Sequence, residues 1–309
     1  MTHAELRREL DRLTTEAFRP ELADIDRLAT LDIARLMNTE DGSVPAAVAG
    51  RLPAIAAAID GIAARMARGG RLVYAGAGTA GRLGVLDASE CPPTFNTTPG
   101  QVTGLIAGGP RAMSDAVEGA EDSRELAAAD LDALAVGPDD AVVGVSASGR
   151  TPYAVGAVEH ARARGALTVG LSCNAGSPLA AAADHGIEVV TGPEFLTGST
   201  RLKAGTAQKL VLNMLSTITM IRLGKTYGNL MVDVRASNEK LRARSRGIVA
   251  LATGAPDDEI EAALTATGGE VKHAILVLLA GVDAATAARL LADADGHLRA
   301  ALLAAAPSD

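Results

Sequence analysis

With 309 residues, 21% of them charged, and a formal net charge of −8, the chain has the length for one large domain plus a small one, and a mildly acidic surface. It carries no lysine or arginine run, and its six aromatic residues (three Tyr, three Phe) offer no stacking platform, which argues against a nucleic-acid partner. No apolar run is long enough to cross a bilayer and the N-terminus lacks a signal-peptide pattern, so a cytoplasmic protein without membrane contact is expected.

Residues 1–43 are polar and read as a helical segment, with short pieces near 24–28 and 31–37. The Ala-rich apolar spacing of 44–68 predicts one long helix ended by Gly69-Gly70. Five short apolar runs, at 71–75, 103–107, 141–145, 167–171 and 186–190, read as strands. Helices fill the intervals at 82–90, 112–118, 123–134, 153–164 and 178–183. Strands that alternate with helices and are apolar on both faces form a parallel sheet covered on both sides. The expected fold class is therefore α/β, a five-stranded parallel sheet between helices. Long helices follow over 200–223 and 236–251. Beyond the linker Gly254-Ala255-Pro256, helices at 258–265, 271–279, 284–291 and 298–304 make a small helical C-terminal domain. The expected organisation is 1–43 as a helical segment, 44–225 as the sheet domain, 226–253 as a helical extension and 254–309 as the terminal domain.

The most informative stretch is Ser146-Ala147-Ser148-Gly149-Arg150-Thr151, between the third strand and a helix opened by Pro152. Small hydroxyl residues and a glycine there gather side-chain hydroxyls and backbone N–H groups at a helix N-terminus, a site suited to phosphate. The first strand runs into Gly76-Ala77-Gly78-Thr79-Ala80-Gly81-Arg82, which matches G-x-G-x-x-G. A dinucleotide reading fails twice. The second strand ends in Ala107-Gly108-Gly109 without an acid for a ribose, and a long helix precedes the first strand. Gly78 still lets a ligand approach the backbone, and Thr79 adds a hydroxyl. Ser199 and Lys203, at the start of the long helix, are further candidates for holding a sugar phosphate.

Two acidic groups follow strands at the same edge of the sheet, Asp87 with Glu90 and Glu118 to Asp122. Asp87 and Glu90 are three apart on a helix, hence on one face. Cys91-Pro92-Pro93 predicts a helix stop just after Glu90, turning that side chain toward the cleft. Cys91 and Cys173 read as reduced core residues. The five histidines are scattered, so no metal ligand set is expected.

These runs, together with Leu86 to Thr94, Val117 to Asp122, Ala147 to Tyr153, Thr197 to Lys209 and Tyr227 to Val234, resemble the sugar isomerase (SIS) superfamily. Within it the chain is similar to the N-acetylmuramic acid 6-phosphate etherase family over nearly its whole length. The resemblance implies a lyase that acts in amino-sugar and cell-wall recycling. It would release D-lactate and N-acetylglucosamine 6-phosphate without metal or cofactor, as a homodimer with active sites near the subunit interface. By resemblance, Glu90 is the acid that protonates the departing lactate oxygen, and Glu121 is a second acidic residue of the site. Gly78, Thr79, Ser146, Ser148, Gly149, Arg150, Thr151, Ser199 and Lys203 are the expected substrate and phosphate contacts. The chain departs from the family pattern at Ala80, where a serine is usual, and at Ser146, where relatives often carry alanine.

Overall fold

The computed structural model of the protein describes residues 13–115, 117–234 and 239–306. The chain divides into two compact units, one formed by Met1–Ser89 and Gly100–Ser216, the other by Glu90–Pro99 and Thr217–Asp309.

The first unit opens with three short 3₁₀ turns, Thr14–Glu16, Pro20–Leu22 and Ile25–Arg27. Helices α1 (Thr30–Asp41), α2 (Val44–Ala49) and α3 (Leu52–Met66) follow. The single helix expected over 44–68 is thus two. Arg51 leaves helical space (φ −119°, ψ 5°), and Pro53, which fits only the first turn of a helix, sits at the restart. The result is a 61° bend between Thr30–Ala49 and Leu52–Met66.

Next come β1 (Leu72–Gly76), α4 (Gly78–Phe95), β2 (Val102–Ile106), α5 (Arg124–Ala133), β3 (Ala141–Val145), α6 (Pro152–Ala163), β4 (Leu167–Ser172), α7 (Pro178–Ala182), β5 (His185–Glu188) and α8 (Lys203–Arg222). The five expected strands are present and pair in parallel in the order β2-β1-β3-β4-β5. Leu72 lies opposite both Val102 and Ala141, and Gly76 opposite both Ile106 and Val145. The chain winds outward from β1 to β2, then returns to the other side of β1 for β3. Strand order therefore reverses between β1 and β3, and their carboxyl ends stand level.

Alternation of side chains along the strands assigns the two faces. Val73, Ala75 and Val142 bury against Ala127 and Leu131 of α5 and Tyr153, Ala157 and Ala161 of α6. Leu167 lies on the opposite face, where Gly61 of α3 approaches its side chain. There α3 buries Ile55, Ala58, Ile59, Ile62, Ala63 and Met66. Each large aliphatic side chain so covered contributes roughly 1.5–3 kcal/mol.

Two helix expectations are corrected. Among its described residues, the segment 112–118 carries only the end of the 3₁₀ turn Pro110–Met113, set off by positive φ at Gly108 and Gly109. Cys91 does not end the helix that bears Glu90, because α4 runs through Pro92 and Pro93 to Phe95. A proline removes its own N–H and strains one turn, and here the following turn still closes, with Asn96 N donating to Pro92 O at 3.0 Å. Glu90 therefore stays helical and exposed.

In the second unit a small hairpin, β6 (Thr226–Tyr227) and β7 (Leu230–Met231), turns through Gly228 at φ 57°. It precedes α9 (Glu239–Thr253), α10 (Asp257–Ala266), α11 (Val271–Ala280), α12 (Ala284–Asp293) and α13 (Leu298–Ala305). The expected start of α9 at Ala236 lies outside the described residues. Val249, Ile260, Ala274, Ile275, Leu276, Leu291 and Leu298 form the core of this unit. Lys225 and the largely buried Lys272 both reach Asp233, at 2.7 and 3.3 Å. Burial pushes the Lys272 ammonium down, against the pull of the Asp233 carboxylate. Among the described residues no single helix is long and apolar enough to cross a membrane.

Candidate functional site

A cavity of about 490 Å³ opens at the carboxyl ends of β1 and β3. Its position follows from the reversal of strand order, which parts the two crossover connections and leaves a crevice. One wall is Ala77 to Ala80 and another is Ser146 to Pro152, apart from Gly149. Both are helix beginnings, the first turn of α4 and the residues leading into α6. First-turn N–H groups have no partner within their own helix, and the helix dipole adds positive potential there, so two such ends facing one cavity favour an anion.

The 146–151 loop is held by its own polar groups. Ser146 Oγ lies 2.8 Å from Thr151 Oγ1 and 3.3 Å from Ser148 Oγ, and it accepts from Gly149 N at 3.0 Å. Arg150 N donates to Ser148 Oγ at 3.2 Å. Gly149 sits at φ 68°, and a Cβ there would fall 2.4 Å from Ser177 Cβ, so only glycine fits beneath the loop. Ser146 is 3% exposed, which makes it chiefly a brace for the loop, while Ser148, Arg150 and Thr151 present more surface to the cavity.

Glu121 and Asp122 line the same cavity, on a 3₁₀ turn (Ala120–Asp122) that follows Gly119 at φ 75°. Glu121 also borders an adjoining space of about 180 Å³, with Arg82 and Glu118. Arg82 donates to Met113 O and Asp115 O, at 3.1 and 3.2 Å, which pins the 110–115 segment at that border. Among the described residues no group of three or more His, Cys, Asp or Glu side chains is placed to hold a metal ion.

The expected site residues divide. Gly78, Thr79, Ser146, Ser148, Arg150, Thr151 and Glu121 line the cavity, and Gly149 supports it from below. Lys203 and Ser199 do not line it. The Lys203 ammonium is buried and bonds Glu40 Oε2 at 3.1 Å, and its backbone N–H is capped by the Glu194 carboxylate at 2.9 Å. Burial raises the Glu194 carboxyl above its ordinary range, against the two backbone amides that stabilise its charged form. Thr200, beside Ser199, lines the cavity instead. Asp87 is turned inward, accepting from Tyr74 OH at 2.8 Å and Ser216 Oγ at 3.2 Å, and burial raises its carboxyl. Asp87 and Glu90 thus do not act from one face. Glu90, which falls in the second unit, is not among the residues that line the cavity.

Two lining residues, Leu13 and Glu16, carry no clear mark in the sequence, while Thr200 and Gln208 lie within the run Thr197 to Lys209 without being singled out there. Leu13 and Glu16 arrive through a clasp. Asn174 Oδ1 accepts from Thr14 N and Thr14 Oγ1 at 2.8 and 2.9 Å. Its Nδ2 donates to Thr15 Oγ1 and Ala147 O at 3.1 and 3.0 Å. Gly198 N adds a bond to Thr15 O at 3.2 Å. Asn174 follows β4 at the same sheet edge as the other loops, and that position was the available signal.

Sequence comparison places this geometry in a lineage. A family model described as SIS domain matches residues 123–218, and one described as glucokinase regulatory protein N-terminal SIS domain matches 54–162. A Streptomyces coelicolor protein named N-acetylmuramic acid 6-phosphate etherase is 82% identical over 303 residues, 98% of this chain and 97% of its own length. This chain belongs to the N-acetylmuramic acid 6-phosphate etherase family. Other etherases by name, from Streptomyces avermitilis and Rubrobacter xylanophilus, are 80% and 64% identical over 98% and 95% of the chain, and each is covered over 97% of its length. As in the sequence reading, the etherase resemblance runs through both units, not only the sheet.

Proposed function

We propose that this protein cleaves the D-lactyl ether of N-acetylmuramic acid 6-phosphate, giving N-acetylglucosamine 6-phosphate and D-lactate. The full-length similarity to named etherases, 82% over 98% of the chain, carries this reading. The 6-phosphate rests against the 146–151 loop and the N-terminus of α4, where hydroxyls, amides and Arg150 meet an anion. With the sugar ring open, the C1 aldehyde acidifies the C2 hydrogen. A carboxylate removes that proton, the C2–C3 double bond forms as the C3–O bond breaks, and an acid delivers a proton to the departing lactate oxygen. Water then adds across the double bond. Each placed proton transfer contributes about 10²–10⁴-fold.

Glu121 is the base or its helper, and Glu90 the acid. Glu90 is exposed, and in this reading it serves the cavity of a second copy in a cytoplasmic homodimer. Unpartnered apolar surface supports such a dimer. Helix α1 buries none of its residues, with Leu31 and Leu36 at 59% and 39% exposed, and Leu86, one turn before Glu90, is 52% exposed.

The test is release of D-lactate from the phosphorylated substrate by the purified protein. Interconversion of aldose and ketose phosphates without lactate would replace the etherase reading with an isomerase. The match to the regulatory-protein SIS domain favours one further reading, a sensor that binds sugar phosphate without turnover. Binding without lactate release would support it. For the phosphate position, Ser148→Ala is expected to raise KM for the phosphorylated sugar roughly tenfold, the loss of one bond to a charged group. An unchanged KM would move the phosphate away from this loop.

A further inference from the structure

Gln208 stands out on α8. It lies on the stripe that buries Ala204, Ala207, Val211, Leu212 and Leu215, is 1% exposed, and lines the cavity. Its Nε2 meets no acceptor among the described residues. A buried donor without a partner is unfavourable, and other buried polar side chains around this cavity (Ser146, Asn174, Glu194) are bonded. Gln208 therefore combines an unpartnered donor with a place in the cavity lining.

Glu16, on the clasped turn, also lines the cavity, and its carboxylate makes no hydrogen bond or ion pair to any described residue. Its setting is specific. Gly198 sits at φ 74°, and a Cβ there would fall 2.6 Å from Glu16 Oε2. Three acids (Glu16, Glu121, Asp122) and one cation (Arg150) line the cavity. A phosphate or carboxylate of the ligand is repelled from Glu16, so Glu16 and Gln208 suit a neutral group that offers one N–H and one acceptor oxygen. An amide has that pair of groups. Leu13 and Ala80 supply apolar surface for a methyl.

Given the etherase reading above, we propose that Gln208 and Glu16 form a specificity subsite for the 2-acetamido group of the sugar. Gln208 donates to the amide carbonyl and Glu16 accepts from the amide N–H. Both act by positioning and selection, and neither exchanges a proton with the reacting carbons.

Calorimetric binding of N-acetylglucosamine 6-phosphate and of glucose 6-phosphate, which lacks the amide, tests this directly. The wild-type protein is expected to bind the acetamido sugar at least tenfold more tightly. Gln208→Met keeps the length and burial of the side chain, and it is expected to erase most of that preference while changing glucose 6-phosphate affinity less than threefold. Its ligand-free Tm should equal or exceed the wild-type value, because an unpartnered buried donor has been removed. Glu16→Ala, at a partly exposed position, provides a second variant with the same expected loss of preference. A preference retained in both variants, an equal loss for both sugars, or a lowered Tm in Gln208→Met would overturn the subsite. Failure of the wild-type protein to release D-lactate would instead remove the etherase reading, which the binding ratios do not measure.

Discussion

A random mixture of Glu90→Gln and Glu121→Gln subunits is expected to recover about a quarter of wild-type D-lactate release, although each variant alone falls by about 10²–10⁴-fold. Glutamine keeps the shape of either side chain and removes its proton chemistry. If each site joins Glu121 of one subunit to Glu90 of the other, a mixed dimer contains one intact site and one doubly altered site. Random mixing makes about half of the dimers mixed, hence the quarter. The expectation follows from the proposed sharing of each site between two copies, with Glu90 exposed and outside the cavity lining. Activity of the mixture no higher than that of the separate variants would return Glu90 to its own subunit's site. Near-normal lactate release by Glu90→Gln alone would remove that residue from the reaction altogether.

The second large effect concerns stability. Asp140→Ala is expected to destabilise the sheet unit by about 3 kcal/mol at pH 7, measured by chemical denaturation. Asp140 is 5% exposed and binds Arg71 through both oxygens, at 3.0 Å to Nε and 2.7 Å to Nη2. It also accepts from Arg71 N and Gly137 N, both at 2.9 Å. The pair ties the start of β1 to the start of β3, and removal of the carboxylate strands a guanidinium only 31% exposed. Burial raises the Asp140 carboxyl, but Arg71 and the two amides outweigh it and hold the group below the ordinary carboxylate range. The folded state thus prefers the ionised form. That stability is present above about pH 4, the range of an unfolded aspartate, and is lost as pH falls through the lower folded value. The gap between wild type and variant should narrow below pH 4. A gap that stays constant would assign the effect to packing instead.

The parts of this protein written locally could be read from its sequence. The strands are short apolar runs between turn formers, and β3 with its loop and α6 is legible residue by residue. A parallel sheet whose order reverses beside its first strand places a ligand at those loops before any side chain is seen. What escaped was nonlocal. Lys203 reads as a free cation at a helix start, yet Glu40, 163 residues away, holds it. Gln208 reads as one more helix former, and only packing reveals that its amide is enclosed and unbonded. Pro92 and Pro93 read as a stop, but a helix fastened at its end by a buried Phe95 carries on past them.

Thr14 and Thr15 are stitched to Asn174 across 160 and 159 positions of sequence. A few polar bonds therefore keep a leading segment of polypeptide against the cavity. A shortened form beginning after Glu16 would keep every strand of the sheet and still lose one side of the cavity. Fusion partners attached ahead of Leu13 belong in the interpretation of any affinity measured on this enzyme.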